Sequence, residues 1–326
     1  ALEWGSRGRW FESSHSDQES IISEQMILSF SYCLIAAAGR PGKEKQMNKT
    51  PKTALFHDLS GYGRCSLGVA IPVLSAMGAQ CCAVPTAYLS AHTAYPPSDR
   101  SVFHDMTGQM AATGDHWQEL GASFDAVYSG FLGSARQIGI LEEFVRRFRT
   151  ENTLVLIDPV MGDYGAPYRT YTPEMCREMA ALAALADVIT PNLTEVSLLL
   201  GEPYEERPKE ATLRRWLEAL SLDGRRSVAV TGVHVQGGKV GAVCLDRATG
   251  AVSCAAAEEV DAHFPGTGDL YASVLLGGLL RGEKLAEANR RAVSFVQQCA
   301  ADTLAQGSDP LEGVRFEPLL GQLMII

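Results

Sequence analysis

From Thr53 onward the chain alternates short apolar runs with longer segments of helical character, and no other feature limits its possible folds as much. TALFHD, QCCAVPT, FDAVYSG, TLVLIDPV, ADVITPN and RSVAVTG read as strands, being short, apolar and rich in branched residues. Between them stand SLGVAIPVLSAMG, ended by Gly78, and a stretch that runs to Leu120 behind the polar loop SAHTAYPPSDR. ARQIGILEEFVRRFR follows, with apolar positions three and four apart, the period of an amphipathic helix. PEMCREMAALAAL and LTEVSLLLG complete the series, VGAVCLD and AVSCAAA read as a hairpin around ATG, and two helices close the chain. Strand–helix alternation at this spacing predicts an α/β fold, a mostly parallel sheet with helices on both faces. Ligands in such folds bind at the carboxyl ends of the strands. The segments that stand there are HDLSGYG, TAYLSAHT, SGFLGS, DPVMGDYG, TPNLTE, VTGVH and FPGTGD, all rich in Gly, Ser, Thr, Asp or His.

Charge narrows the function. A net charge of −10 over 326 residues argues against a nucleic-acid surface, which needs a basic stripe. It leaves ATP open, because backbone N–H groups hold phosphates without a basic surface. No apolar run reaches the length of a membrane span; the nearest, MILSFSYCLIAAAG from Met26, is short and interrupted. None of the eight cysteines forms a CxxC pair or a zinc spacing, so they read as reduced core residues of a cytoplasmic protein.

The first fifty residues differ from the rest. ALEWGSRGRWFESSHSDQES has no period, and GRPGKEKQMNKTPK is polar. Residues 1–52 are therefore expected to be an extension, disordered or derived from upstream sequence, with one domain over residues 53–326.

Three constellations compete as the site. SGYGRCSLG resembles a dinucleotide fingerprint, but Ser66 stands where the third glycine belongs, and QCCAVPT ends in no ribose-holding acid. There is no GxxxxGK[ST] loop. In HFPGTGDLYASVLLGGLLRG, Gly266 and Gly268 permit a sharp turn into a helix whose free N–H groups favour a phosphoryl group. Asp269 there could take a proton from an attacking hydroxyl, or could simply cap the helix. DPVMGD and TPNLTE set Asp158, Asp163, Asn192 and Glu195 at two more strand ends, where carboxylates could hold a hydrated Mg²⁺ against nucleotide phosphates.

The ordered set DPVMGD, TPNLTE and GTGD resembles the ribokinase-like kinases, and HDLSGYG, LSAHT and SGFLGS narrow the resemblance to the pyridoxal/pyridoxamine kinase branch, over about Thr53 to Leu304. The resemblance implies a three-layer sandwich and ATP-dependent phosphorylation of the 5′-hydroxymethyl group of a B6 vitamer. It assigns Asp269 as the base and Gly266, Thr267 and Gly268 as the anion hole. It gives Asp158 and Glu195 to Mg²⁺, and Asp163, Asn192, Thr231 and Gly232 to ATP. Asp58, Ser60, His92, Thr93 and Phe131 fall to the vitamer, and DYGAPY to a loop folding over ATP. A homodimer is implied as well, while a need for K⁺ beside Mg²⁺ is left open.

Two positions depart from the pattern. Asp58 stands where a serine is common, suited to a protonated ring nitrogen or a substrate amine, or to a plain turn. Phe131 stands where a tyrosine is common, which keeps stacking and loses a hydroxyl. No cysteine follows the GTGD turn closely, so no covalent trap for an aldehyde is expected there. The alternatives are a hydroxymethylpyrimidine kinase of the same fold, a non-catalytic vitamer-binding relative, a nicotinamide oxidoreductase and, more remotely, a sugar kinase.

Overall fold

In the computed structural model, residues 49–169 and 171–324 are described. The expected extension therefore lies, but for its last residues, outside the described part, as does the apolar run from Met26. The first strand, β1, begins at Lys52.

A nine-stranded sheet organises the chain, in the order β11-β10-β9-β8-β5-β4-β1-β2-β3. Its middle is parallel: β1 (Lys52–Ser60), β2 (Gln80–Leu89), β4 (Ala126–Ser129), β5 (Leu154–Ile157), β8 (Val188–Ile189) and β9 (Ser227–Val235). Both edges turn antiparallel, through β3 (Phe103–Asp105) on one side, and β10 (Lys239–Leu245) with β11 (Val252–Glu258) on the other. The last pair is the hairpin expected from the sequence.

Side chains of the central strands alternate between two cores. Ala54, Phe56, Val127, Val155, Ile157 and Val228 point into one. Leu55, Tyr128, Leu156 and Ala229 point into the other. The first core is closed by α2 (Thr107–Glu119), α3 (Ala135–Phe148), α4 (Pro173–Ala183), α5 (Leu193–Leu200) and α6 (Glu210–Ser221). The second is closed by α1 (Leu67–Ala76), α7 (Thr267–Leu280) and α8 (Leu285–Ala305). This is the three-layer sandwich. Each face is apolar because burial of the branched strand residues drives the stacking.

The structure adds elements to the expected set. Helix α6 buries Leu213, Trp216, Leu217 and Leu220, three and four apart. DYGAPY folds into a small hairpin, β6 (Gly162–Asp163) against β7 (Ala166–Pro167). Strand β9 continues past Thr231 because Gly232, at φ +71°, sits at a register shift in the β9–β10 pairing.

Candidate active site

The chain runs from β1 to β2 on one side, then returns to place β4 on the other side of β1. A crevice opens at such a reversal, outside the carboxyl ends of the strands. His57, Asp58 and Ser60 lie at that end of β1, and Gly130 and Phe131 follow β4. Helix α7 brings Asp269 to the same place.

Asp269 is no helix cap. The N-cap of α7 is Gly266, at φ +80°, with no side-chain cap hydrogen bond, and Asp269 lies in the first turn. Its Oδ2 accepts the backbone N–H of Ser66 at 2.8 Å, which leaves Oδ1 toward His57 Nδ1, 3.7 Å away. Gly266 is required by packing as well as by φ: a Cβ there would lie 2.1 Å from the Arg64 carbonyl oxygen. The β1–α1 loop thus rests directly on the GTGD turn. Thr267 donates its hydroxyl to the Phe264 carbonyl, a further tie within the turn.

Other carboxyls crowd this centre. Asp58 is buried, and its two oxygens accept hydroxyls from Ser66 and Ser60. Burial raises its pKa, the Ser66 hydrogen bond lowers it, and the charge of Asp269 raises it again. Asp158, after β5, accepts the Thr190 hydroxyl at 2.9 Å on Oδ1, while Oδ2 lies 4.0 Å from where a Cβ on Gly268 would sit. Burial, with Asp269 nearby, pushes the Asp158 carboxyl up to about 8. Burial, with Asp158 nearby, also holds the Glu195 carboxyl well above the usual range. Buried acids that raise one another's pKa create demand for a cation.

The donor set bears on which cation fits. Among the described residues no group of three or more His, Cys, Asp or Glu could hold a metal ion by itself. Asp158 offers one carboxylate beside the GTGD turn. Mg²⁺ is commonly held by one or two carboxylates together with water and substrate phosphates, so the arrangement fits it. Glu195 is already committed: Oε1 accepts Met161 N–H at 3.1 Å and Oε2 accepts Asn192 N–H at 2.8 Å. Asn192 returns the bond to Glu195 N–H, completing a capping box at the start of α5. It also donates its amide to the Gly162 carbonyl, which ties α5 to the β6–β7 hairpin.

The structure places Asn192 and Thr231 side by side, as a parallel bridge, with Thr231 N–H donating to the Pro191 carbonyl at 2.9 Å. Asp163 sits on the hairpin, its pKa raised by burial. The next residue, Tyr164, meets His263 with 2.6 Å between hydroxyl and Nδ1, so the hairpin touches the segment entering the GTGD turn. Phe131 packs partly buried against the first core, and its carbonyl accepts the Thr86 hydroxyl. His92 is buried and engaged on both nitrogens, by the Leu311 carbonyl at 2.7 Å and by Ala94 N–H at 3.3 Å. It clips the C-terminal segment to the loop that follows β2, and Thr93 beside it is exposed.

Residues not singled out by sequence also stand here. Ser66 supplies the amide to Asp269 and a hydroxyl to Asp58, and no side-chain pattern advertises a backbone N–H. His57 had one signal: alternation along β1 turns it to the same face as Leu55, toward α7.

A sandwich with a central parallel sheet and a carboxylate beside a glycine turn at a helix N-terminus defines a kinase of the ribokinase-like class. The phosphomethylpyrimidine kinase family model matches residues 73–312. A Bordetella avium pyridoxine/pyridoxal/pyridoxamine kinase is 33% identical over 264 residues, 77% of this chain and 85% of its own length. A Bacteroides thetaiotaomicron protein bearing the phosphomethylpyrimidine kinase name superposes with a TM-score of 0.81 at 42% identity, over 85% of this chain and 97% of its own, in a crystal form with pyridoxal. Pyridoxal kinase from Lactobacillus plantarum superposes with a TM-score of 0.77 at 32% identity, over 84% of this chain and 97% of its own. The chain belongs to the pyridoxal kinase family.

Proposed function

We propose that this enzyme transfers the γ-phosphoryl group of ATP to the 5′-hydroxymethyl group of a B6 vitamer, giving the 5′-phosphate and ADP. The observation that carries the reading is the carboxylate of Asp269, with one oxygen fixed by Ser66 N–H and the other free, at a glycine turn heading α7. Such a group takes the alcohol proton as the new O–P bond forms. The N–H groups of Gly266, Thr267 and Gly268 would receive the charge that builds on the migrating phosphoryl. Asp158 would hold Mg²⁺ directly and Glu195 through water, and the metal supplies neutralisation of phosphate charge. Asp163, Asn192, Thr231 and Gly232 are read as the nucleotide side. Asp58, Ser60 and Phe131 are read as the vitamer side, with His92 and Thr93 shaping its rim. The names of the relatives support a B6 vitamer, as does the pyridoxal in the Bacteroides crystal form.

A second reading, hydroxymethylpyrimidine as acceptor, is favoured by the description of the matching family model. The two separate by kcat/KM on pyridoxal, pyridoxamine, pyridoxine and hydroxymethylpyrimidine with ATP and Mg²⁺. A preference of tenfold or more for a vitamer supports the first reading, and the reverse preference replaces it. The same proposal carries a cytoplasmic homodimer, which sedimentation of the purified chain tests.

A further inference from the structure

His57 is an unexplained cost in the fold. Its ring is fully buried, and neither nitrogen has a hydrogen-bond partner among the described residues. Leaving a buried polar group unpaired is unfavourable, because its desolvation is not offset by a hydrogen bond. The surroundings hold the ring in place all the same. It packs edge-on against Tyr128, with centroids 4.3 Å apart and planes at 77°. Nδ1 then faces Oδ1 of Asp269 at 3.7 Å, the oxygen that Ser66 leaves free.

Gly130 keeps this line open. A Cβ at Gly130 would lie 2.4 Å from His57 Nδ1 and 3.5 Å from Asp269 Oδ1. Any other residue would push the imidazole off the carboxylate. Gly130 itself is fixed by its N–H to the Phe56 carbonyl, at 3.0 Å. The separation of 3.7 Å is beyond hydrogen-bond length, and a movement of roughly 0.7 Å closes it. Other polar groups around the pair are Asp58 from β1, Cys65 and Ser66 before α1, Tyr128 from β4, Asp158 after β5 and Tyr168 after β7, of which Ser66 donates to the Asp269 carboxylate.

We propose that His57 is a positioning residue for the base: its Nδ1–H donates to Oδ1 of Asp269 and holds that oxygen toward the acceptor alcohol. This rests on the reading of Asp269 as the base of a kinase. The alcohol proton passes to Asp269 as the O–P bond forms and the bond to ADP breaks. His57 neither gains nor loses a proton; it orients the carboxylate and stabilises its charged form before the transfer.

Two substitutions and one spectrum test this. His57→Asn places an amide N–H close to the position of Nδ1, whereas His57→Leu fills the space without a donor. Supporting groups of this kind are worth roughly 10–100-fold in activity. His57→Leu is expected to lose about that factor in kcat, with KM for ATP and for the vitamer within about twofold, and His57→Asn to recover most of it. Equal kcat in the Leu variant and the native enzyme, or equal losses in both variants, overturns the proposal. The spectrum needs no turnover. In protein with ¹⁵N-labelled histidine, the His57 signals, assigned by their loss in His57→Asn, are expected to show the proton on Nδ1. A proton on Nε2 overturns the proposal, and it decides alone where the Leu variant does not fold. If the native chain phosphorylates no vitamer or pyrimidine, the kinase reading fails separately, and the tautomer still reports whether His57 donates to Asp269.

Discussion

The backbone N–H of Ser66 donates to Oδ2 of Asp269 at 2.8 Å, although the two residues stand 203 positions apart in the chain. The contact joins the loop after β1 to the first turn of α7, so Asp269, the proposed base, is oriented by tertiary structure and not by its own helix. Ser66 holds φ at +50° to present that amide, a conformation uncommon for a residue with a side chain. Asp269→Asn keeps an acceptor for the Ser66 amide and loses the proposed base. The expected result is a fall in kcat of about a thousandfold, within the span typical of general-base loss. The thermal shift produced by Mg²⁺·ATP should persist. A variant with undiminished kcat would remove Asp269 from the chemistry.

Gly266 and Gly282 offer a matched comparison at the two ends of α7. Both hold φ above +80° or at it. A Cβ at Gly266 meets the Arg64 carbonyl oxygen at 2.1 Å, whereas at Gly282 it meets nothing within 4 Å. Gly282→Ala should therefore cost only backbone strain, about 1 kcal/mol, and leave kcat near the native value. Gly266→Ala must also part the β1–α1 loop from the turn. If the turn is the proposed anion hole, it is expected to lower kcat by about a hundredfold. Equal effects from the two substitutions in kinetics and thermal melts would contradict this account.

Much of this arrangement was legible in the sequence, and what was not has identifiable causes. The strand–helix alternation and the motifs at the strand ends predict the sandwich and the edge on which the site lies, because burial fixes the period and topology fixes the edge. Asp158 was legible as an acid ending an apolar run. Helix α6 carries a full apolar stripe at Leu213, Trp216, Leu217 and Leu220, yet no motif draws the eye to it. Strands β6 and β7, two residues each, are too short for any period to register. The role of Ser66 is carried by a backbone amide, and that of His57 by packing across distant segments. Thr231-Gly232 suggests a strand end, whereas the glycine lets the chain bulge and continue.

Asp58 should trade stability for its place in the site. Burial raises its pKa above the ordinary value of 3.8, against the Ser66 hydrogen bond, and the charge of Asp269 adds to the rise. The native state thus binds the Asp58 proton more tightly than the unfolded chain does. Stability is lost as pH rises from the unfolded pKa through the folded one. Asp58→Asn keeps the shape and buries no charge. Its melting temperature is expected to exceed the native value by about 2 °C or more at pH 8, the gap narrowing once the pH falls through the raised folded pKa toward 3.8. Calorimetry across that range checks it; a gap that widens on acidification would reverse the sign of the argument.

The hairpin that carries Asp163 is held on two sides. Gly165 N–H donates to the Thr194 hydroxyl at 2.8 Å, and Gly165, at φ +77°, lies so close to the Tyr204 ring that a Cβ would be 2.8 Å from it. That side is a fixed pivot. The other side is the contact of Tyr164 with His263, 2.6 Å from hydroxyl to Nδ1, between a residue 70% exposed and the segment entering the GTGD turn. A single exposed hydrogen bond facing a part-buried, closely packed pivot is the contact that would open first. If the hairpin covers the nucleotide, Tyr164→Phe keeps the edge-on ring contact and removes only the hydroxyl. The dissociation rate of a fluorescent ADP analogue, followed by stopped flow, is expected to rise about two- to tenfold, the range of one net hydrogen bond. The melting temperature should hardly move, since the hydroxyl supports no core residue. An unchanged dissociation rate would show that Asn192, Thr194 and Tyr204 hold the hairpin without His263, and that the contact with His263 does not gate the nucleotide.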